Sequence, residues 1–308
     1  MTELRKIRPS LLERAADVYD FDAHLRARTA PADVPEAPEA IVEPLPDAVL
    51  ERDAPVRQAP PAGGAIVSID RALLAEHGLL VPGAPIGALV EEFRQVKRQL
   101  LITARTIRAA DPDKARTILV CSANADEGKT YCAINLAISL AAERDTQVLL
   151  VDGDVAKPDV MQRLGVADGP GLLDALGDPT IDVEGCIVGT DIPQLSLLPA
   201  GTKSNTDTEL LASDRTQALI ATLLAADPTR LVIFDSPPAL VASPASVLAG
   251  EIGQVMLVVR ADKTSESDLR EAVVQLDGCQ HIQLILNAVS FAPGGRRFGS
   301  YYGQEDAA

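Results

Sequence analysis

The sequence is poor in aromatic residues and contains no tryptophan. Aromatics make up 3% of its 308 residues, whereas apolar residues as a whole make up 47%. A core of this composition must be built from Leu, Val, Ile and Ala. The chain has too few aromatic side chains to form the stacking platforms that bind single-stranded nucleic acid.

Positive charge is also scarce. The chain has 28 Lys and Arg residues against 44 Asp and Glu residues, which gives a net charge of −16. An acidic chain repels nucleic acid and anionic lipid headgroups. We therefore expect no nucleic-acid partner, although general adaptation of a host proteome for solubility would give the same charge.

Cysteines and long apolar runs are few. The four cysteines show no CxxC spacing, so we expect buried, reduced thiols and a cytoplasmic protein. No apolar run reaches the roughly 18 residues of a transmembrane helix. The N-terminal residues are not followed by the apolar stretch of a signal peptide.

Composition divides the chain into four regions. Residues 1–28 are predicted to be a helical segment, and residues 29–64, rich in Pro, Ala, Asp and Glu, a disordered linker. Residues 65–292 alternate apolar runs with helical periodicity, as a folded domain would. Residues 293–308 form a Gly-rich, charged tail that we predict to be flexible.

The folded region is predicted to be an α/β domain. Short apolar runs suited to buried strands lie at residues 117–121, 147–151, 195–198, 231–234, 255–259 and 282–286. Helical segments are predicted at residues 89–110, 129–143, 209–226 and 265–276. This alternation indicates a doubly wound, mostly parallel sheet with helices on both faces, whose ligands bind at the carboxyl ends of the strands.

The clearest motif follows the predicted strand that ends at Cys121. Residues 123–130 read Ala-Asn-Ala-Asp-Glu-Gly-Lys-Thr, a P-loop in which Ala123 replaces the usual first glycine. Backbone N–H groups of such a loop and the following helix N-terminus bind phosphate oxygens. Lys129 would reach the β- and γ-phosphates, and the Thr130 hydroxyl would coordinate Mg²⁺.

The nucleotide-binding set predicted from this loop includes its neighbour in the helix. Its members are Ala123, Asn124, Ala125, Asp126, Glu127, Gly128, Lys129, Thr130 and Tyr131. Asp126 and Glu127 place two carboxylates beside a site for a polyanion, and we expect both side chains to point to solvent.

Three further carboxylates follow predicted strands. Asp152 and Asp154 lie two residues apart after one strand, so they project the same way if the backbone is extended. Asp235 ends the apolar run 231–234 in a Walker B arrangement. Such acids can hold Mg²⁺ or accept a proton from an attacking hydroxyl, although paired acids at a strand end are sometimes turn residues.

The P-loop, the Asp-x-Asp strand end and the Asp-Ser-Pro-Pro strand end together resemble the bacterial tyrosine kinases of exopolysaccharide synthesis. Further similar segments lie at residues 171–174, 197–201, 209–213, 260–264 and 286–287. The resemblance covers roughly residues 66–302. The variant Asp-x-Asp-Val-Ala-Lys-Pro is similar to the subgroup found with exosortase (PEP-CTERM) loci.

The resemblance implies an ATP- and Mg²⁺-dependent protein-tyrosine autokinase. Lys129 would neutralise charge on the transferred phosphoryl group, and Asp152 and Asp235 would organise the metal with Thr130. Asp154 is the candidate base for the incoming tyrosine.

Other roles are implied by position in the same family. Lys157 would orient phosphates, although Ala156 leaves an expected basic position empty, and Asn287 would lie beside adenine. The phosphate acceptors would be Tyr301 and Tyr302; an unremarkable disordered tail is the alternative.

The resemblance also implies partners. Glu91, Arg94 and Lys97 match an E-x-x-R-x-x-R motif for subunit contacts in ring-shaped homo-oligomers, with Lys97 replacing an arginine; a solvated helix face is the alternative. A membrane polysaccharide chain-length regulator would activate the kinase and hold it peripherally at the inner membrane. A tyrosine phosphatase would counteract it.

Two other functions are compatible with the sequence. Min- and Par-type partition ATPases have the same fold, but Asn124 occupies the position of their signature lysine. A non-catalytic, nucleotide-gated partner in a polysaccharide export complex is the other alternative.

Overall fold

A computed structural model describes residues 66–289. The helical segment predicted at 1–28, the linker predicted at 29–64 and the tail that contains Tyr301 and Tyr302 lie outside the described residues.

One sheet organises the described region. Its strands are β1 (Thr117–Ser122), β2 (Gln147–Asp152), β3 (Val188–Gly189), β4 (Leu195–Leu198), β5 (Arg230–Asp235), β6 (Gln254–Arg260) and β7 (Ile282–Asn287). The spatial order is β3-β4-β2-β5-β1-β6-β7. Every neighbouring pair is parallel except β3 and β4. Strands β2 to β5 lie on one side of β1, and β6 and β7 lie on the other. The carboxyl end of β1 is therefore at a topological switch point, where such sheets bind ligands.

Two helices precede the first strand in sequence, and the others lie between strands. They are α1 (Arg71–Glu76), α2 (Ala88–Arg108), α3 (Lys129–Ala141), α4 (Val160–Arg163), α5 (Leu172–Gly177), α6 (Asp207–Leu211), α7 (Asp214–Ala226), α8 (Pro244–Glu251) and α9 (Glu266–Gln275). Single 3₁₀ turns precede β1, at Lys114–Arg116, and β3, at Val183–Cys186. Within residues 66–289, no helix is both long and apolar enough to span a membrane.

Both faces of the sheet are covered. Ile118 and Val120 of β1 pack into one apolar cluster with α2 and α3, whereas Leu119 and Cys121 pack into a second cluster with α7 and α8. Successive strand residues point to opposite faces, and all six residues of β1 are buried, so this strand is covered from both sides. The predicted fold class is confirmed.

One predicted helix is divided in two. The segment 209–226 forms α6 and α7, because Ser213 adopts an extended backbone at the start of α7. The Ser213 hydroxyl donates to the carbonyl of Leu210 at 2.6 Å. The prediction of buried, reduced cysteines is confirmed, since Cys121, Cys132, Cys186 and Cys279 are all free and buried.

Helix α2 contains the residues predicted to contact other subunits. The Lys97 Nζ donates to the carbonyl of Ser139 at 2.9 Å and pairs with Glu143 at 2.7 Å. Its side chain is only 12% exposed, so Lys97 joins α2 to α3 within its own chain, and its predicted subunit contact stays a prediction. Glu91 and Arg94 pair with each other on the surface, and their role in oligomers stays a prediction.

Candidate nucleotide site

The P-loop connects β1 to α3, as its sequence predicts. Gly128 precedes the first residue of α3 with φ of 95°, a left-handed conformation that favours glycine. A Cβ atom at Gly128 would lie 2.1 Å from Nδ2 of Asn287. Glycine is therefore required here, and the N-terminus of α3 opens onto the carboxyl end of β1.

Glu127 is buried, whereas Asp126 is exposed. The Glu127 carboxylate accepts a hydrogen bond from the backbone N–H of Asn124 at 3.1 Å and another from the Thr264 hydroxyl at 2.6 Å. The prediction that both acidic side chains point to solvent is wrong for Glu127, which is 4% exposed. It is confirmed for Asp126, whose side chain is 84% exposed. The buried carboxylate satisfies a loop N–H that would otherwise lack a partner.

Three more side chains support the loop from β6, β7 and α9. Arg260 donates to the carbonyl of Asp126 at 2.6 Å, and Asn287 Nδ2 donates to the carbonyl of Glu127 at 2.9 Å. Asn124 Nδ2 donates to the Asp268 carboxylate at 3.0 Å. The segment 260–264 was noted in the sequence only as a family likeness, and nothing in its residues indicated that it holds the loop.

Lys129 pairs with Asp154 at the centre of the site. Their Nζ and Oδ2 atoms are 2.6 Å apart, and both side chains are largely buried. Burial lowers the pKa of Lys129, but the charges of Asp235 and Asp154 outweigh it and raise that pKa above its ordinary value. Lys129 therefore stays cationic, as a phosphate-binding group must.

Asp152 and Asp235 lie side by side at the ends of β2 and β5, paired in register. Oδ2 of Asp152 accepts N–H groups of Asp159 and Val160 at 3.1 and 3.0 Å, at the start of α4. Its other oxygen and both oxygens of Asp235 are buried, and none of the three is within hydrogen-bond geometry of a partner, although the nearby Thr130 hydroxyl lowers the pKa of Asp235. Burial raises the pKa of Asp152 to about 7, and burial raises that of Asp235 to about 7 despite the opposing charge of Lys129.

These unpartnered oxygens fit a magnesium ion. Mg²⁺ in proteins commonly takes one or two carboxylates and completes its shell with water and substrate phosphates. Asp152 and Asp235 supply the carboxylates, and the buried Thr130 supplies a hydroxyl. Among residues 66–289, no group of three or more His, Cys, Asp or Glu side chains is arranged to hold a metal.

A cleft of about 380 Å³ joins the loop to the strand ends. Its lining includes Gly128, Lys129, Thr130 and Asp154. Lys157 lies at its rim, with its side chain 80% exposed and its Nζ 4.0 Å from Asp126. Tyr131 also lines the cleft, but its hydroxyl donates to the carbonyl of Gly78 at 3.0 Å. The predicted residues that line this cleft are Ala125, Asp126, Gly128, Lys129, Thr130, Tyr131, Asp154 and Lys157. Asp152 and Asp235 are fully buried and do not belong to its lining.

This fold and this site define a nucleotide-binding α/β protein of the P-loop class. Sequence similarity to known proteins indicates which family of this class the chain resembles. The chain is 33% identical over 183 residues to the putative tyrosine-protein kinase EpsB of Ralstonia nicotianae, covering 58% of this chain and 23% of that protein. It is 30% identical over 186 residues to the tyrosine-protein kinase CpsD of Streptococcus pneumoniae, covering 58% of this chain and 79% of that protein.

A solved structure has a similar fold. The chimerical protein CapA2B2 matches with a TM-score of 0.58 and 26% identity, over 73% of this chain and 94% of that one. No protein-family model matches. The chain belongs to the bacterial tyrosine-protein kinase family. It spans only 23% to 30% of the length of the first curated relatives that it matches.

Proposed function

We propose that this chain is a protein-tyrosine autokinase that transfers the γ-phosphoryl group of ATP to tyrosine and regulates exopolysaccharide synthesis or export. The observation that carries the proposal is the contact between Lys129 and Asp154. It places a phosphate-binding cation and a carboxylate base 2.6 Å apart in one cleft. The tyrosine kinases among its relatives support the choice of acceptor.

The chain's own groups account for the transfer. Loop N–H groups and the N-terminus of α3 bind the phosphates. Lys129 turns from Asp154 towards the phosphates and neutralises charge that develops on the transferred group. Asp154 is then free to accept the proton of the tyrosine hydroxyl, whose ordinary pKa of about 10 leaves it protonated at neutral pH.

The remaining assignments follow from position. Mg²⁺, held by Thr130, Asp152 and Asp235, would neutralise phosphate charge. Lys157 at the rim would orient phosphates. Asn287 supports the P-loop and would also face adenine.

Tyr301 and Tyr302 are the proposed acceptors. Assembly into a homo-oligomeric ring, with contacts through Glu91, Arg94 and Lys97, would bring one copy's tail to a neighbour's cleft. A membrane chain-length regulator would activate the kinase and hold this cytoplasmic chain at the inner membrane, and a phosphatase would reverse the modification. The Asp-x-Asp-Val-Ala-Lys-Pro segment supports placement in the exosortase-associated subgroup.

Phosphotyrosine immunoblotting after incubation with ATP and Mg²⁺ tests the proposal. Wild type should label itself, whereas Lys129→Met and Asp154→Asn should lose labelling, because one removes the phosphate-binding cation and the other the base. The double variant Tyr301→Phe/Tyr302→Phe should also remain unlabelled. Persistent labelling of the double variant would contradict the tail as acceptor, whereas labelling of Lys129→Met would contradict the catalytic site.

A further inference from the structure

The cleft has an apolar side that phosphate binding does not use. Pro237, Pro238, Val241 and Ala242 line it beyond the Walker B aspartate, and Ala156 lines it beyond Asp154. Val241 is 65% exposed. A single exposed valine is ordinary, but this one lies in the same cleft as the proposed base.

The position of Val241 is fixed by the P-loop strand. The N–H groups of Ala239 and Leu240 donate to the carbonyls of Ser122 and Ala123 at 2.8 and 3.2 Å. The N–H groups of Val241 and Ala242 donate to the carbonyl of Pro238 at 3.1 and 3.2 Å, closing a turn. The apolar surface is therefore anchored directly to the loop that would hold the phosphates.

The sheet order places this apolar surface on the side of β1 opposite to the strands proposed to face the adenine base. Asp154 follows β2 and Val241 follows β5, both on one side of β1, whereas Arg260 and Asn287 end β6 and β7 on the other side. In phosphoryl transfer, the attacking and leaving oxygens lie roughly in line. If Asn287 faces adenine, as proposed above, the base would lie towards β6 and β7, and an acceptor that approaches from the β2–β5 side would face the γ-phosphate.

From this arrangement we propose that Ala156, Pro238 and Val241 form a seat for the ring of the acceptor tyrosine, which we call the acceptor seat. The inference rests on the proposed kinase function. The tyrosine ring lies on the apolar seat and directs its hydroxyl at Asp154. The hydroxyl loses its proton to the Asp154 carboxylate, its oxygen bonds to the γ-phosphorus, and the bond from that phosphorus to the β,γ-bridging oxygen breaks, releasing ADP.

The charges around the seat select the kind of acceptor. The Lys157 side chain is 80% exposed at the rim, and the exposed Lys203 donates to the carbonyl of Ala156 at 2.7 Å. The exposed Asp126, 4.0 Å away, partly offsets the charge of Lys157. The Lys203 ammonium bonds a neutral carbonyl, so positive charge is left beside the apolar seat and favours a tyrosine followed by acidic residues. In the sequence, Glu305 and Asp306 follow Tyr302 closely, so the chain's own tail is an acceptor of this class.

Peptide kinetics test the acceptor seat. The enzyme is the full chain with Tyr301→Phe and Tyr302→Phe, and the acceptor is a synthetic peptide of residues 299–306. Adding Val241→Asp should raise the KM for the peptide about tenfold or more, because it places a charge on the seat and repels acidic flanks. The KM for ATP should stay within about twofold, since the backbone hydrogen bond that holds Val241 in its turn is kept in the variant.

Val274→Asp is the matched control, because Val274 is 66% exposed but lies on α9. Val241→Ile should restore the wild-type KM for the peptide. A peptide carrying Gln and Asn in place of Glu305 and Asp306 should have a higher KM with the wild-type seat. Equal peptide KM values for Val241→Asp and Val274→Asp would overturn the acceptor seat while leaving the kinase function intact.

Peptide binding gives a readout that does not require transfer. Fluorescence anisotropy of the labelled peptide, with a non-hydrolysable ATP analogue and Mg²⁺, should show binding to the Val274→Asp control and at least fivefold weaker binding to Val241→Asp. Binding that is the same in both variants would refute the seat. Nucleotide binding with no transfer to any tyrosine peptide would instead refute the proposed function.

Discussion

Glu127 shows how an acidic residue can stabilise a phosphate-binding loop. Its carboxylate lies inside the loop and accepts hydrogen bonds from the Asn124 N–H and the Thr264 hydroxyl. It therefore stabilises the conformation of the loop. The type of residue could be read from the sequence, but the direction of its side chain could not. That direction depends on Thr264, which is 137 positions away along the chain.

Neutralising Glu127 should weaken ATP binding. If Glu127 acted mainly as a negative charge near phosphate, Glu127→Ala would bind ATP more tightly. Because it supports the loop, we expect Glu127→Ala to bind ATP about tenfold more weakly and to lose about 2 kcal/mol of unfolding free energy. Isothermal titration and urea denaturation measure the two effects.

Asp126→Gly is the matched control for Glu127→Ala. Asp126 is exposed and has φ of 60°, a conformation that glycine adopts without strain. ATP binding by Asp126→Gly should be unchanged or tighter. Tighter binding by Glu127→Ala would contradict a supporting role for that side chain.

Asp235 should make the metal-free chain less stable as pH rises. Its pKa is raised by burial from 3.8 to about 7, so the folded state holds a proton that the unfolded state releases. The resulting loss of unfolding free energy is absent below the ordinary pKa and grows as pH rises from about 4 towards 7. In a chelator, Asp235→Asn should therefore melt above wild type at pH 8, and the difference should shrink towards pH 5. Differential scanning fluorimetry across this range tests the sign, and a difference that did not vary with pH would contradict it.

At the scale of elements, apolar runs and their ends located the strands well. β1, β2 and β5 were predicted within a residue or two, because fully buried parallel strands are continuous apolar runs. The two-residue β3 has no such run and pairs antiparallel at an edge, so the sequence gives no signal for it. The division of 209–226 depends on the backbone at Ser213, which helical periodicity does not report.

The contact of α2 with α3 depends partly on Lys97. Lys97→Met keeps the apolar stem but removes the bonds to Ser139 and Glu143, so it should lower the unfolding free energy by about 1 kcal/mol. Arg94→Met is the matched change on the same helix. Because Arg94 is 46% exposed, its loss should cost less than about 0.5 kcal/mol. Urea denaturation compares them, and equal losses would contradict the intrachain role of Lys97.

At the scale of the whole molecule, the sequence motifs located the site because the fold brings strand ends together. Residues 123–130, 152–154 and 235 are distant along the chain but lie at one edge of the sheet. The family follows from relatives such as CpsD. What motifs could not supply is the set of contacts made by Arg260, Thr264 and Asp268, since side-chain partners across elements leave no spacing pattern.

The N-terminal region has a separate proposed role. Deleting residues 1–64 should abolish co-purification with a membrane chain-length regulator, because the linker and helical segment would be the tether. Nucleotide binding should persist, since the P-loop and the elements that support it lie within residues 66–289. Affinity purification and ATP titration of the truncated chain measure the two outcomes, and retained co-purification would place the tether elsewhere.

In the proposed function, Lys129 and Asp154 direct the γ-phosphoryl group of ATP to tyrosine rather than to water. Phosphosite mapping by mass spectrometry, together with an assay of released inorganic phosphate, tests it on the purified full chain incubated with ATP and Mg²⁺. We expect phosphate on Tyr301 or Tyr302 in wild type and none in Asp154→Asn. Released inorganic phosphate without any phosphotyrosine would contradict it and favour a partition-type ATPase.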